Sequence, residues 1–363
     1  HVNITYMVIG DWLTKVQLAI GGGEQVDLMG FQAGNGIATM YTNTMAMDMT
    51  DYLTEFAPDA LAIVEPYLAA VSYDGRIYGL PTMRNLVTGG WLFFNQDELD
   101  ALGLTEQAEN LSTWSGFEEI LAAVYEAYNG TGLYPISKGA AGSIISGNGS
   151  LIGGDNFSDY IRWDVLGDAT GMVRTDNDGN VSLYPAAPEY EQELALMAEW
   201  YDNGWVYPDS TLIDTHGDEL MKQGVAFASI QGSEIGVETV KGSSTGYELV
   251  CPMYYPGLIK TSNLTGWGIG VPITAEDPVA ACKFIELLYT DAELMNLLTW
   301  GQEGTDYEIV DGQVQHVEDG HYYQADFLIG NNLLLTPLYG NGADFYERVE
   351  AAVTNAENSP YLG

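Results

Sequence analysis

Short β-branched or aromatic runs alternate along this chain with stretches whose apolar residues recur every three or four positions. That alternation constrains the fold more than any other feature. The opening segment Val2-Asn3-Ile4-Thr5-Tyr6-Met7-Val8-Ile9 reads as a strand closed by Gly10-Asp11, and Leu13, Val16 and Ile20 then mark a helical face. After Gly21-Gly22-Gly23 comes Val26-Asp27-Leu28-Met29-Gly30-Phe31, a short buried strand. A β-α-β order places helices over a sheet, so the expected class is α/β with a parallel, helix-covered sheet.

The pattern continues downstream. Asp74-Gly75 lies between two β-type runs in the segment from Val71 to Pro81, a strong hairpin signal. Gly90-Trp91-Leu92-Phe93-Phe94-Asn95 reads as a strand. Phe117, Ile120, Leu121 and Val124 form a helical face behind a Ser115-x-x-Glu118 capping box. Leu194, Met197, Ala198 and Tyr201 mark another helix, and the glycine- and serine-dense stretch 129–154 reads as loops. Asp176-Asn177-Asp178-Gly179 signals a second hairpin; its spaced acids faintly resemble a calcium loop, without the glycine and distal Glu in the places such a loop needs. In the last third a helix with Ala281, Phe284, Ile285 and Leu288 starts at Asp277-Pro278. A shorter one carries Leu294, Leu297 and Leu298, and a hairpin turns at Asp311-Gly312.

Composition narrows the function. With 363 residues the chain is long enough for two domains or three, and 46% apolar against 17% charged residues makes it globular. Eleven Lys plus Arg stand against 51 Asp plus Glu, a net charge of −40 that repels phosphate backbones and anionic headgroups. Nucleic-acid binding and membrane binding through the folded surface are thereby disfavoured. No run approaches the roughly 20 apolar residues of a membrane span. Cys251 and Cys282 either pair in an oxidising compartment or lie as thiols in a strand and a helix. The four histidines have no ligand spacing, and no glycine pattern matches a phosphate cradle, so neither a metal nor a cofactor is expected.

Chemistry-bearing motifs are equally sparse. So many carboxylates make a close pair an ordinary occurrence, so a glycosidase pair cannot be picked out, and no nucleophile motif is present. The 24 tyrosines and 8 tryptophans are more informative, because many sit beside polar or loop residues. A sugar ring offers C–H faces for stacking and a hydroxyl rim for hydrogen bonds, which suits aromatic rings bordered by polar groups. Trp267 between Gly266 and Gly268 faces a ligand or caps a core. The same alternatives hold for Trp12 after Asp11, Trp163 before Asp164, and Trp300 before Gly301, while Trp114 at a helix start reads as packing. Arg84, just past a strand-closing proline, binds a ligand or forms a salt bridge, and Gln32 and Glu234 are further polar candidates.

Taken in order, several pieces resemble the extracellular solute-binding proteins of ABC importers, of the carbohydrate, maltose-binding-protein-like type. They are Val26-Asp27-Leu28-Met29, the Tyr73 to Pro81 segment, Phe94-Asn95-Gln96-Asp97-Glu98-Leu99 leading to Thr113-Trp114-Ser115-Gly116-Phe117, Gln223-Gly224-Val225-Ala226-Phe227, Gly266-Trp267-Gly268-Ile269-Gly270, and Ala280-Ala281-Cys282-Lys283-Phe284-Ile285. The stretch Trp300-Gly301-Gln302-Glu303-Gly304-Thr305-Asp306-Tyr307 before a hairpin resembles a subgroup of Gram-positive lipoproteins that often continue into a further C-terminal region. The chain departs from that subgroup in showing no lipobox cysteine and no further region.

The resemblance implies a type II periplasmic-binding-protein-like α/β fold, with two lobes, a hinge and an interlobe cleft. One lobe would take 1–85 and 265–335, the other 86–264 and 336–363. Residues near the crossings would line the site, which draws together Gln32, Arg84, Asn85, Glu234 and Trp267, with Trp12, Trp163, Asp164 and Trp300 as further candidates. The implied activity is binding without catalysis: a carbohydrate, an oligosaccharide in the first instance, is captured by hinge closure and handed to an ABC permease. The expected protein is a monomer at the surface of a Gram-positive cell, held to the membrane only through a lipid anchor. A receptor for a peptide, polyamine or other cationic solute is the alternative, and a glycoside hydrolase is third.

Overall fold

In the computed structural model of the chain, the hairpin turns follow from their residues. Strands Ser72–Tyr73 and Arg76–Ile77 pair across Asp74 and Gly75, both with positive φ (52° and 74°), the two-residue turn whose twist matches a hairpin. Tyr307–Val310 and Gln313–His316 repeat it across Asp311 and Gly312, at 51° and 77°. Val173–Thr175 pairs with Val181–Leu183 around the Asp178-Gly179 region. The structure describes residues 12–32, 36–137, 150–162, 164, 166, 173–175, 178–211, 215–317, 322 and 326–362. The expected strand 2–9 and residues 138–149 of the expected loop lie outside them.

The chain divides into two units, His1–Arg84 with Thr261–Tyr339 and Leu362–Gly363, and Asn85–Lys260 with Gly340–Tyr361. In the first, a three-stranded sheet has Trp267–Gly270 between Met29–Gln32 and Leu80–Pro81, both pairings antiparallel. The parallel pairing expected from β-α-β order would join strand 2–9 to Met29–Gln32, and strand 2–9 lies outside the described residues. The central strand of the three arrives only after the chain has built most of the other unit. The helix Trp12–Gly21 forms as expected, burying Val16 and Ile20 with Met29, Phe31, Ile37 and Met40. The helix Pro278–Thr290 starts at Asp277, whose carboxylate accepts from the Ala280 N–H at 2.9 Å. Glu286 from this helix reaches the uncapped start of Pro58–Val64 and accepts from the N–H groups of Asp59 (3.3 Å) and Ala60 (2.9 Å). In Ala292–Trp300 the buried residues are Met295, Leu298, Thr299 and Trp300, while Leu297 is exposed.

The second unit has a five-stranded mixed sheet. Gly89–Asn95 and Ala226–Ser233 pair antiparallel at its centre, Leu249–Val250 and Met253–Tyr255 add to the first antiparallel, and Tyr134–Ile136 adds to the second parallel. The stretch read as loop thus contains a core strand, which three residues without strong alternation do not announce. The helix Trp114–Tyr128 buries Phe117, Ile120, Leu121 and Val124 as expected, but its cap is Thr113, whose Oγ1 accepts from the Gly116 N–H at 3.1 Å. Ser115 instead donates through Oγ to Asp155 at 2.9 Å. The helix Pro188–Asp202 is present, yet it is rotated from the expected face: Glu193 and Trp200 are buried, and Leu194 and Tyr201 are exposed. The reason is aromatic packing, since Trp200 sits edge-on to Phe117 with centroids 5.4 Å apart and donates its Nε1–H to Glu118 at 2.8 Å. Cys251 and Cys282 are free thiols in different units.

Candidate functional site

In the first unit, three strand ends deliver the sequence candidates to one end of the sheet. Gln32, the last residue of its strand, is the register partner of Trp267, the first residue of the central strand. The Trp267 carbonyl accepts from the Thr82 N–H at 3.0 Å, so the segment leading to Arg84 runs beside it. That segment is held on its other side by Met83, which donates to the Gly330 carbonyl (2.9 Å) and accepts from the Asn332 N–H (2.7 Å). Tyr289, fully buried, donates its hydroxyl to the Pro81 carbonyl at 2.7 Å. Arg84 and Trp267 are half-buried there.

Of the glycines flanking Trp267, Gly268 is required by packing. A Cβ there would stand 2.2 Å from the Phe31 ring and 2.3 Å from the Leu80 carbonyl oxygen, so only glycine lets the three strands close up. Side chains alternate along a strand, so Trp267 points to the face opposite the Phe31 contact. An indole half-buried at a sheet end can stack on an apolar ring face, and a guanidinium on the adjoining segment can hydrogen-bond the rim.

In the second unit, Asn85 and Glu234 come together at the end of the central strand pair. Asn85 is buried; its amide oxygen accepts from the Ile235 N–H at 2.9 Å and its nitrogen donates to the Val87 carbonyl at 3.2 Å. Glu234, half-buried, lies in the turn between Ala226–Ser233 and the helix Val237–Thr245. Trp91, which sequence reasoning treated only as a strand residue, donates Nε1–H to the Ser233 carbonyl at 3.1 Å and so pins the same turn.

The remaining candidates differ in their surroundings. Trp300 is wholly buried, its ring edge-on to His316 at 5.8 Å, and has no face open to a ligand: it is a core residue. Asp164 is 4% exposed, and its carboxylate holds its own turn by accepting from the Leu166 N–H at 2.9 Å. Its charge also opposes the burial that lowers the Lys260 pKa. Trp12 is the first residue of its helix, and Trp163 lies outside the described residues.

Burial governs the strongest titration shifts. It raises the Glu193 carboxyl from 4.5 to about 8, against the Ile152 N–H, which donates to Oε1 at 2.9 Å, and the Tyr184 hydroxyl. It pushes the thiols of Cys251 and Cys282 up to about 12 and about 11, so neither is a poised nucleophile. Among the described residues no group of three or more His, Cys, Asp or Glu side chains could hold a metal ion, and no helix is long and apolar enough to cross a membrane.

Comparison with known proteins adds the following. The family model described as bacterial extracellular solute-binding protein matches residues 1–305. A Streptococcus pneumoniae protein named carbohydrate ABC transporter substrate-binding protein is 22% identical over 384 residues, covering 100% of this chain and 71% of its own. The solved structure of the N-glycan transport solute binding protein NgtS from Streptococcus pneumoniae superposes with a TM-score of 0.79 at 19% identity, over 99% of this chain and 77% of that one. The S. pneumoniae ABC-transporter substrate binding protein FusA, in complex with kestose, gives 0.57 at 16% identity, over 97% and 76%. These likenesses show a shared fold.

Proposed function

The chain belongs to the family of bacterial extracellular solute-binding proteins, and from that premise we propose that it is the receptor of an ABC importer, capturing a neutral oligosaccharide outside the cell. The observation that carries the carbohydrate reading is Trp267, a half-buried indole at a strand end beside the segment that bears Arg84. The printed names of the relatives, for carbohydrate, N-glycan and kestose, support the same ligand class. The mechanism is binding and release. In this reading Trp267, Gln32, Arg84 and Glu234 are the ligand-contacting residues, and their contacts favour the liganded form, which a membrane permease reads and discharges. Attachment to the membrane through a lipid and a monomeric state belong to this proposal as well.

Thermal-shift measurement across a panel of neutral oligosaccharides, including kestose and high-mannose N-glycan fragments, tests it. A ligand present at 100 times its dissociation constant adds about 2.7 kcal/mol to stability. A shift confined to spermidine or a basic peptide would replace the carbohydrate with a cationic solute, the reading that a net charge of −40 favours. Turnover of a chromogenic glycoside, lost on neutralising one carboxylate, would overturn both.

A further inference from the structure

The turn that carries Glu234 is held from two directions by segments distant in sequence. Asn85, 8% exposed, bridges the Ile235 N–H and the Val87 carbonyl through one amide, and Trp91 takes the Ser233 carbonyl. On the other side Gly236 has φ +86° and lies so close to residues 341–345 that a Cβ would stand 2.5 Å from the Phe345 ring. Thr239 then donates its hydroxyl to the Gly340 carbonyl at 2.9 Å. The unit begins at Asn85 and its second part begins at Gly340. Both entry segments therefore grip the turn Ser233-Glu234-Ile235-Gly236.

We propose that Asn85 is a positioning residue: its amide fixes this turn so that Glu234 meets the ligand, and Asn85 itself makes no ligand contact. The proposal rests on the binding reading given above for Glu234. Both ends of the buried amide are already engaged by backbone groups, which leaves little capacity for a ligand hydroxyl. Removing it leaves the Ile235 N–H without its acceptor, a loss comparable to one hydrogen bond, or about tenfold in an equilibrium that needs the turn ordered. Aspartate at 85 would keep the acceptor for Ile235 and face the Val87 N–H with its second oxygen, 3.3 Å away, while losing the donor to the Val87 carbonyl.

The test has a ligand-free arm and a binding arm. In the unliganded protein, Asn85→Ala should speed hydrogen exchange of the Ile235 amide at least about tenfold, while Asn85→Asp keeps it protected and the amides of Ala226–Ser233 stay unchanged in both. With the neutral oligosaccharide giving the largest thermal shift as probe, Asn85→Ala should weaken binding about tenfold and Asn85→Asp less. The double variant Asn85→Ala/Glu234→Gln should bind no more weakly than Glu234→Gln alone. Unchanged exchange at Ile235, or additive losses in the double variant, would overturn the proposal. If Glu234→Gln binds like the parent, or if no oligosaccharide shifts the parent, the binding reading has failed, and the exchange arm still decides whether Asn85 holds the turn.

Discussion

Protonation of Glu193 should set a measurable alkaline limit on the second unit. Its carboxyl is 1% exposed on the inner face of the helix Pro188–Asp202; Oε1 takes the Ile152 N–H, and Oε2 has no hydrogen-bond partner among the described residues. Burial makes ionisation costly there and raises the pKa from 4.5 to about 8, even though the Ile152 N–H and the Tyr184 hydroxyl favour the charged form. The folded state thus holds the proton more tightly than the unfolded chain. The associated stability is complete below the unfolded value near 4.5 and is lost as pH climbs through 8. Between pH 5 and 9 the shift corresponds to about 4 kcal/mol, or roughly 10 °C in the melting temperature of a unit of about 200 residues. Differential scanning calorimetry of the parent and of Glu193→Gln across that range isolates the effect, because all other carboxylates titrate alike in both. The parent should lose stability relative to the variant as pH rises. Parallel profiles, differing by less than about 1 kcal/mol in their pH dependence, would show that the group ionises without cost and refute the reasoning.

Trp267→Ala should weaken oligosaccharide binding by about 1–3 kcal/mol in calorimetric titration while the melting temperature changes little, and undiminished affinity would remove the indole from the site. Gly268→Ala should destabilise the first unit by about 1–3 kcal/mol or more, read by denaturant unfolding, because the new methyl overlaps the Phe31 ring and the Leu80 carbonyl. Glu286→Ala should cost about 1 kcal/mol in the same assay, and Glu286→Gln less, since the carboxylate caps a helix that has no cap of its own. Phe117→Ala, which empties the aromatic centre of the second unit, should cost about 3–5 kcal/mol.

Where local chemistry decides the conformation, the sequence was informative. Asp-Gly pairs produced both two-residue hairpins because few other residues accept consecutive positive φ values, and Asp277-Pro278 started its helix through a side-chain acceptor and a preset φ. Sheet topology was not legible in the same way. Register partners such as Gln32 and Trp267 lie 235 positions apart in number, and no periodicity within either segment says which strand it will meet. The helix face at Pro188–Asp202 failed for a related reason. Its apolar residues occur on two sides, and the buried side was chosen by Trp200 fitting Phe117, even though that turned an acid inward.

The site candidates divide along the same physical line. Arg84, Glu234 and Trp267 are candidates because each follows or adjoins a proline, a glycine or a turn, where strands end and side chains leave the sheet. Trp300 met the same local criterion, yet a glycine beside an aromatic marks a chain reversal and does not fix on which side of it the ring lies; here the ring went into the core. Trp91 was missed for the opposite reason, since it sits inside an apolar strand and acts through its one polar atom on Ser233. A strand aromatic near an element's end becomes a site candidate when the opposing backbone carbonyl belongs to a turn, which is knowable only from register. Asn85 illustrates the converse: a polar residue where one unit gives way to the other is committed to the backbone of Ile235 and Val87, a role that only hydrogen-bond accounting assigns.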